Sequence, residues 1–501
     1  AYLLAQVPDA AIRGVIIGFD GRRNSRVFAE DAATVLAAMG VRVWLTDRET
    51  PTPVCAFAVT SLGTAAGVVI TASHNPPEYN GYKVYWQNGA QIIPPHDQGI
   101  AAAINTAAQC ELPWCDLAAA KRGGNVRLVG DDLVESYLQG VAALSRGRAK
   151  AERAGLAIAY TPLHGVGARV AEQALRRAGF TAVFTVVAQR EPDPRFPSVR
   201  FPNPEEPGAM DMVLTLAREQ RAALACANDP DADRLAVAVR TPAGDYRQLT
   251  GDQVGALLAH VLLASAPPRS AVATTVVSSR LLSVMARSRG VGYFETLTGF
   301  KWIANAALAR QAKGERFLFG YEEALGYTIG DLVRDKDGIS ALVLFAELAA
   351  DCAAQGETVL DRLEAIYREH GLYLTAQESL ALAAHRRGPT IGERLRARPP
   401  ESVGGRAVLG WTDLVAGRRV HAGRTEPVDL PPSDVLIYEL DGGARVVVRP
   451  SGTEPKLKCY YEVRETLAAR ESFAAGETRA RVQLLSLMQA HQREIAALQS
   501  G

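Results

Sequence analysis

The sequence predicts an α/β protein, with three similar α/β domains built on mixed sheets and a smaller C-terminal α+β domain, arranged around a central cleft. Three observations carry that expectation. A strand–loop–helix–strand pattern occurs three times, the closing stretch lacks it, and 501 residues are too many for one hydrophobic core.

The first copy is GVIIGFDGRRNSRVFAEDAATVLAAMGVRVW, from Gly14. The second is GLAIAYTPLHGVGARVAEQALRRAGFTAVF, from Gly155, and the third SAVATTVVSSRLLSVMARSRGVGYFE, from Ser270. Each begins with a short apolar run suited to a buried parallel strand. Each helix stops at a glycine, Gly40, Gly179 or Gly290, which suits the left-handed position beyond a helix end. Ser25 and Ser279 are placed to cap the first and third helices. After Leu372 come the Pro/Arg-rich RRGPTIGERLRARPPESVGGR, the strands DVLIYEL and ARVVVRP, and the alternating strand KLKCYYEV. A long Ala/Glu/Arg-rich helix then runs to about Gln499. The expected domains are 1–140, 141–250, 251–371 and 372–501. The chain opens in AYLLAQVPD as if partway along a helix, so a further N-terminal segment is expected.

Composition narrows the function classes. A net charge of +1 argues against a broad footprint for nucleic acid or an anionic membrane. No run reaches the roughly 18 apolar residues of a membrane span, and the apolar stretch 339–350 is broken by Glu347. Six scattered cysteines without a C-x-x-C pair predict a reduced, cytoplasmic protein without structural zinc.

Four polar loops follow apolar strands. In TASHNPPEYNGYKVYW, Ser73 lies just past the carboxyl end of the strand at 67–70, where open α/β sheets place ligands. Pro76, Pro77 and Asn80-Gly81 stiffen the loop. His74 and Lys83 bracket the serine as potential cations, which suits a hydroxyl that carries a phosphoryl group. In ALACANDPDADRLAV, Asp229, Asp231 and Asp233 alternate, and three converging carboxylates need a hard divalent cation. An EF-hand is excluded, because its sixth and twelfth positions hold Arg234 and Arg240. FLFGYEEALGY presents Glu322 and Glu323, which could accept hydrogen bonds from sugar hydroxyls. VVVRPSGTEPKLKCYYE offers Arg449, Ser451, Gly452 and Thr453 as a phosphate grip, with Lys456 and Lys458 adding charge. Each loop falls in a different expected domain, so the four would meet in one crevice.

In this order the loops resemble the α-D-phosphohexomutase superfamily of phosphoglucomutases and phosphomannomutases. The resemblance spans nearly the whole chain and is most specific in TASHNPPEYNGYK, DPDADR and RPSGTEPK, with support from GFDGRRNS, YTPLHGVG, PNPEEPGA, TGFKWIA and RDKDGI. It implies that Ser73 is a phosphoserine and that one Mg²⁺ per chain is held by its phosphate with Asp229, Asp231 and Asp233. It further implies Lys83 as general acid/base with His74 and Arg22 nearby, and Arg234 and Lys301 as substrate-positioning groups. Glu322 would bind sugar hydroxyls, and Arg449, Ser451, Gly452 and Thr453 the non-reacting phosphate. The implied reaction interconverts the 1- and 6-phosphates of glucose or mannose through a bisphosphate, with sugar 1,6-bisphosphate as activator. The implied partners are small sugar phosphates, not nucleic acid or membrane, and the implied state is a monomer or weak dimer. Many relatives carry Glu-x-Ser in the sugar loop, whereas Ala324 stands here, so sugar preference stays open. A phosphopentomutase, a metal-dependent sugar phosphatase and a non-catalytic sugar-phosphate sensor are the alternatives.

Overall fold

The computed structural model describes residues 1–147, 151–381, 390–450 and 456–500. Each repeated motif becomes the centre of a mixed sheet. The first sheet runs in the order Tyr82–Trp86, Ala66–Ile70, Val15–Phe19, Val43–Thr46, Val126–Val129. The second runs Tyr246–Gln248, Ala236–Arg240, Leu224–Ala227, Ile158–Thr161, Val183–Thr185. The third runs Gly292–Thr296, Ser270–Thr275, Arg316–Glu322, Gly326–Ile329.

The first sheet illustrates how sequence sets packing. Val15–Phe19 and Ala66–Ile70 are buried along their whole length, as their unbroken apolar runs require. Helix Ser25–Ala38 offers Ala29, Ala33 and Ala37, spaced four apart, to the same core as Ile17, Phe19 and Ile70. Small residues on that stripe let the helix lie close to the sheet. Its C-terminus is closed by Gly40 at φ 77°, and the matching glycines 179 and 290 lie at φ 95° and 66°. Ser25 does not cap it. The cap position is Asn24, and the Ser25 hydroxyl donates to Asp20 Oδ1 at 2.7 Å. Ser279 does accept a backbone bond, from Leu281 N at 3.2 Å.

One topological feature places the chemistry. In all three sheets the strand that ends in a polar loop doubles back into an antiparallel neighbour. Ala66–Ile70 pairs with Tyr82–Trp86, Leu224–Ala227 with Ala236–Arg240, and Arg316–Glu322 with Gly326–Ile329. The Ser73, Asp229 and Glu322 loops therefore occupy equivalent positions in three modules.

The C-terminal region is an eight-stranded antiparallel sheet, in which Leu372–Ala381, Lys456–Glu465, Arg445–Pro450, Leu436–Leu440 and Arg406–Asp413 are successive neighbours. Helix Phe473–Ser500 packs on it, with Tyr461 Oη 3.0 Å from His491 Nδ1. The chain divides into two compact units, Ala1–Ala273 with Arg289–Phe294 and Gly299–Arg362, and Thr274–Ser288 with Glu295–Thr298 and Leu363–Gly501. Among the described residues no single helix is long and apolar enough to cross a membrane, and the apolar helix Gly338–Ala354 is almost wholly buried.

Candidate active site

Backbone geometry in the first unit gathers the Ser73, Asp229 and Glu322 loops. Ser73 adopts φ 50°, in the left-handed region that non-glycine residues rarely enter. Arg22 holds it there. Its Nη2 donates to Ser73 O and Asn75 O at 2.6 and 2.5 Å, and its Nη1 to Pro76 O and Tyr79 O at 2.7 and 3.1 Å. Asp20 lies 3.3 Å from its Nε, and both side chains are buried. The loop is wrapped around a guanidinium whose terminal donors, on Nη1 and Nη2, are spent on carbonyls. Arg22 thus shapes the serine loop. Gly81 closes the loop where a Cβ would meet Thr71 O at 2.3 Å.

The aspartate loop is shaped from beneath. Asn228 accepts from Tyr160 Oη at 2.8 Å and donates to Arg234 O at 2.6 Å. YTPLHGVG is a support for this loop, since Val166 N donates to Pro230 O at 2.8 Å. Gly165 is required there, because a Cβ would come within 2.2 Å of Pro230 Cα. Asp229, Asp231 and Asp233 are all fully buried, and one carboxylate oxygen from each lies within 4.8 Å of the others.

The two loops meet. Ser73 Oγ donates to Asp229 Oδ2 at 2.7 Å, across 156 residues of chain, and His74 Nδ1 is 3.3 Å from the same Oγ. Lys83 Nζ bridges Asp231 Oδ2 and Asp233 Oδ2, both at 2.7 Å. Arg234 N donates to Asp229 Oδ1 at 3.0 Å. The third loop is tied to the second, because Leu235 N donates to Leu325 O at 3.0 Å and Arg234 pairs with Gly326 in an isolated bridge. Glu322 is buried and accepts from Gly299 N at 2.7 Å. Lys301, two residues on, lies with Nζ 5.6 Å from the Trp302 ring. Arg449 sits on strand Arg445–Pro450 of the second unit, in register with Lys458. Ser451, Gly452 and Thr453 lie outside the described residues.

The electrostatics separate these groups. Burial, then the charges of Asp231 and Asp233, push Asp229 well above the usual carboxylate range. Burial would raise Asp231 too, but the charge and hydrogen bond of Lys83, with Thr52, hold it below that range. Burial would lower Lys83, yet Asp231 and Asp233 raise it well above its usual value, so it is protonated at rest. His74 departs from the sequence expectation of a cation. Burial, and then Arg234, bring it down to about 2, and its imidazole is neutral near pH 7. Burial raises Glu322.

Two residues escaped sequence reasoning. Lys336 reaches Asp233 Oδ2 at 3.3 Å, and Asp335 Oδ2 accepts from Tyr85 Oη and Gln91 Nε2, both at 2.7 Å. Both lie in RDKDGI, whose only sequence signal was the resemblance.

The aspartates fit a divalent cation. Asp231 Oδ1 and Asp233 Oδ1 are buried carboxylate oxygens without a hydrogen-bond partner among the described residues. Hard, anionic oxygen donors converging in this way suit Mg²⁺.

Models of the phosphoglucomutase/phosphomannomutase family match along the chain: α/β/α domain I over residues 1–111, domain II over 135–244, domain III over 250–370 and the C-terminal domain over 419–479. A probable phosphomannomutase of Haemophilus influenzae is 40% identical over 90% of this chain and 88% of its own. A probable phosphoribomutase of Schizosaccharomyces pombe is 38% identical over 92% and 81%. The fold matches that of a putative phosphomannomutase from Thermus thermophilus, with a TM-score of 0.71 at 24% identity over 99% of this chain and 92% of that one. With one family's models spanning most of its length and close relatives that are phosphomutases, this chain is an isomerase belonging to the phosphoglucomutase/phosphomannomutase family, within the α-D-phosphohexomutase superfamily.

Proposed function

We propose that the enzyme interconverts hexose 1-phosphate and hexose 6-phosphate, of glucose or mannose, through a phosphorylated Ser73 and a bisphosphate intermediate. The observation that carries this reading is the contact of Ser73 Oγ with buried Asp229, beside Lys83 locked onto Asp231 and Asp233. Asp229, Asp231 and Asp233 would hold Mg²⁺, which when bound neutralises negative charge on the phosphoryl group.

In the forward step the phosphoryl leaves Ser73 Oγ and joins the free hydroxyl oxygen of the sugar monophosphate. Lys83 Nζ, protonated at rest, supplies the proton that Oγ takes up as its bond to phosphorus breaks. The proton of the incoming hydroxyl passes to an oxygen of the transferred phosphoryl group and from there restores Lys83, while the neutral His74 imidazole stays beside Oγ as a hydrogen-bonding group. The bisphosphate turns over and returns its other phosphoryl to Ser73 with the proton movements reversed. Added sugar 1,6-bisphosphate would phosphorylate an idle Ser73, which makes it an activator. Glu322 accepts hydrogen bonds from sugar hydroxyls, Arg234 and Lys301 position the substrate, and Arg449, Ser451, Gly452 and Thr453 grip the distal phosphate.

A pentose reading is supported by the phosphoribomutase relative and by Ala324, which removes a hydroxyl from the sugar loop. Coupled assays with glucose, mannose and ribose 1-phosphates side by side decide between them. The highest kcat/KM is expected for a hexose, and a higher value for ribose 1-phosphate overturns that choice. Phosphate release outrunning isomer formation would instead identify a phosphatase.

A further inference from the structure

Thr52 opens the helix Thr52–Ser61 directly after Pro51 and is completely buried. It touches the aspartate loop twice, 179 residues away in sequence. Its backbone N–H donates to Asp231 O at 2.9 Å, and its Oγ1 donates to Asp231 Oδ2 at 2.6 Å. The main chain and the carboxylate of one proposed metal ligand are therefore both pinned by a single residue of another module.

Asp231 and Asp233 are built alike. Each has its partners on Oδ2 and no hydrogen-bond partner on Oδ1 among the described residues. Lys83 donates to both, while the second partner is the Thr52 hydroxyl for Asp231 and, as an ion pair, Lys336 for Asp233. The asymmetry between the two oxygens leaves Oδ1 of each free to face a cation.

We infer that Thr52 is a positioning residue for the metal site, holding the main chain and Oδ2 of Asp231 so that Oδ1 stays directed at the cation. This rests on the metal reading given above. It assigns Thr52 no contact with substrate. Partners of this kind typically change metal affinity by about 10–100-fold when removed.

Calorimetric titration of the metal-free enzyme with Mn²⁺ tests it, with thermal unfolding of each metal-free variant as a control. Thr52→Val is expected to bind Mn²⁺ about 10–100-fold more weakly than wild type, and Thr52→Ser to remain within about threefold of it. If the valine variant unfolds early, Thr52→Ala takes its place under the same expectation. Failure of wild type to bind Mn²⁺ would remove the metal reading itself. Wild-type binding matched within twofold by Thr52→Val would overturn the role of Thr52 alone, and so would a loss that Thr52→Ser shares. The Lys83→Met background sharpens the test. There Thr52 is the remaining donor on Asp231 Oδ2, so Thr52→Val should cost more affinity than it does in wild type. Equal costs in the two backgrounds overturn the claim that Thr52 and Lys83 share the hold on Asp231 Oδ2.

Discussion

Glu462 in the second unit and the aspartates of the first unit are all buried carboxylates, and their surroundings differ in one respect. Glu462 takes Arg280 N at 2.8 Å and Arg280 Nε at 2.6 Å, with Arg445 Nε 3.8 Å away. The two arginines spend further donors on Gly443 O, Val276 O and Ser278 O. Burial would raise Glu462, but Arg445 and Arg280 hold it below its usual range. That cluster is closed. At Asp229, Asp231 and Asp233 two buried carboxylate oxygens lack hydrogen-bond partners among the described residues, and burial with the neighbouring carboxylates pushes Asp229 upward. Buried carboxylates that keep unpartnered oxygens are arranged to receive a cation from a ligand, whereas a carboxylate whose oxygens are both taken up holds strands together.

The widest separation between the two clusters should come from Ser73→Ala. Turnover in a coupled isomer assay is expected to fall on the order of 10³-fold or more, with thermal unfolding nearly unmoved. Retained turnover would mean that the acid-rich cluster is not the site of transfer. Glu462→Leu should do the reverse to stability. Leaving buried Arg445 and half-buried Arg280 without their carboxylate is expected to cost about 3–5 kcal/mol, read as a lower midpoint in urea unfolding. A cost under about 1 kcal/mol would remove the contrast drawn here.

The second unit also carries its own pH dependence. Burial lowers His491 to about 4, against an ordinary value of 6.5. Its folded pKa is the depressed one, so its contribution is fully present above about pH 6.5 and is lost as pH falls toward 4. The expected loss is about 3 kcal/mol, from roughly 1.4 kcal/mol per unit. Urea unfolding of wild type and His491→Phe across that window checks it. The variant should have the shallower slope, even though Tyr461 loses its partner at every pH. Parallel slopes would acquit His491. The smallest effect belongs to Asp229→Asn. Removing one crowded carboxylate should leave metal-free stability unchanged or slightly higher, while the rise in Tm on adding MgCl₂ disappears. A clear drop in metal-free Tm would show that the aspartates are balanced after all.

The sequence made the three modules legible because their signals are local. Apolar strands, glycine stops and polar loops each lie within a few residues of one another, and the glycines at 40, 179 and 290 all adopt positive φ. What escaped was whatever depends on contacts made far along the chain. Thr52 meets Asp231 across 179 residues, and Tyr85 meets Asp335 across 250. No periodicity announces such pairs. Arg22 looked like a cation available to the reaction, yet its donors turn inward to loop carbonyls. His74 looked like another, and burial neutralises it. Ser25 had the right chemistry for a helix cap but lies one residue too far along. The shared hairpin after each loop-bearing strand needed strand pairing, which a single sequence does not display.

That hairpin has a consequence for how the first module tolerates change. Lys83 stands opposite Val69 and Tyr85 opposite Gly67, so pleat alternation sends both to one side, Lys83 to the aspartates and Tyr85 to Asp335. Their aim is dictated by parity along the strand, independent of how many residues the preceding loop contains. Lengthening that loop near Tyr79 would leave both side chains aimed as they are, whereas deleting Val84, which lies between them, would turn lysine and tyrosine onto opposite faces of the sheet.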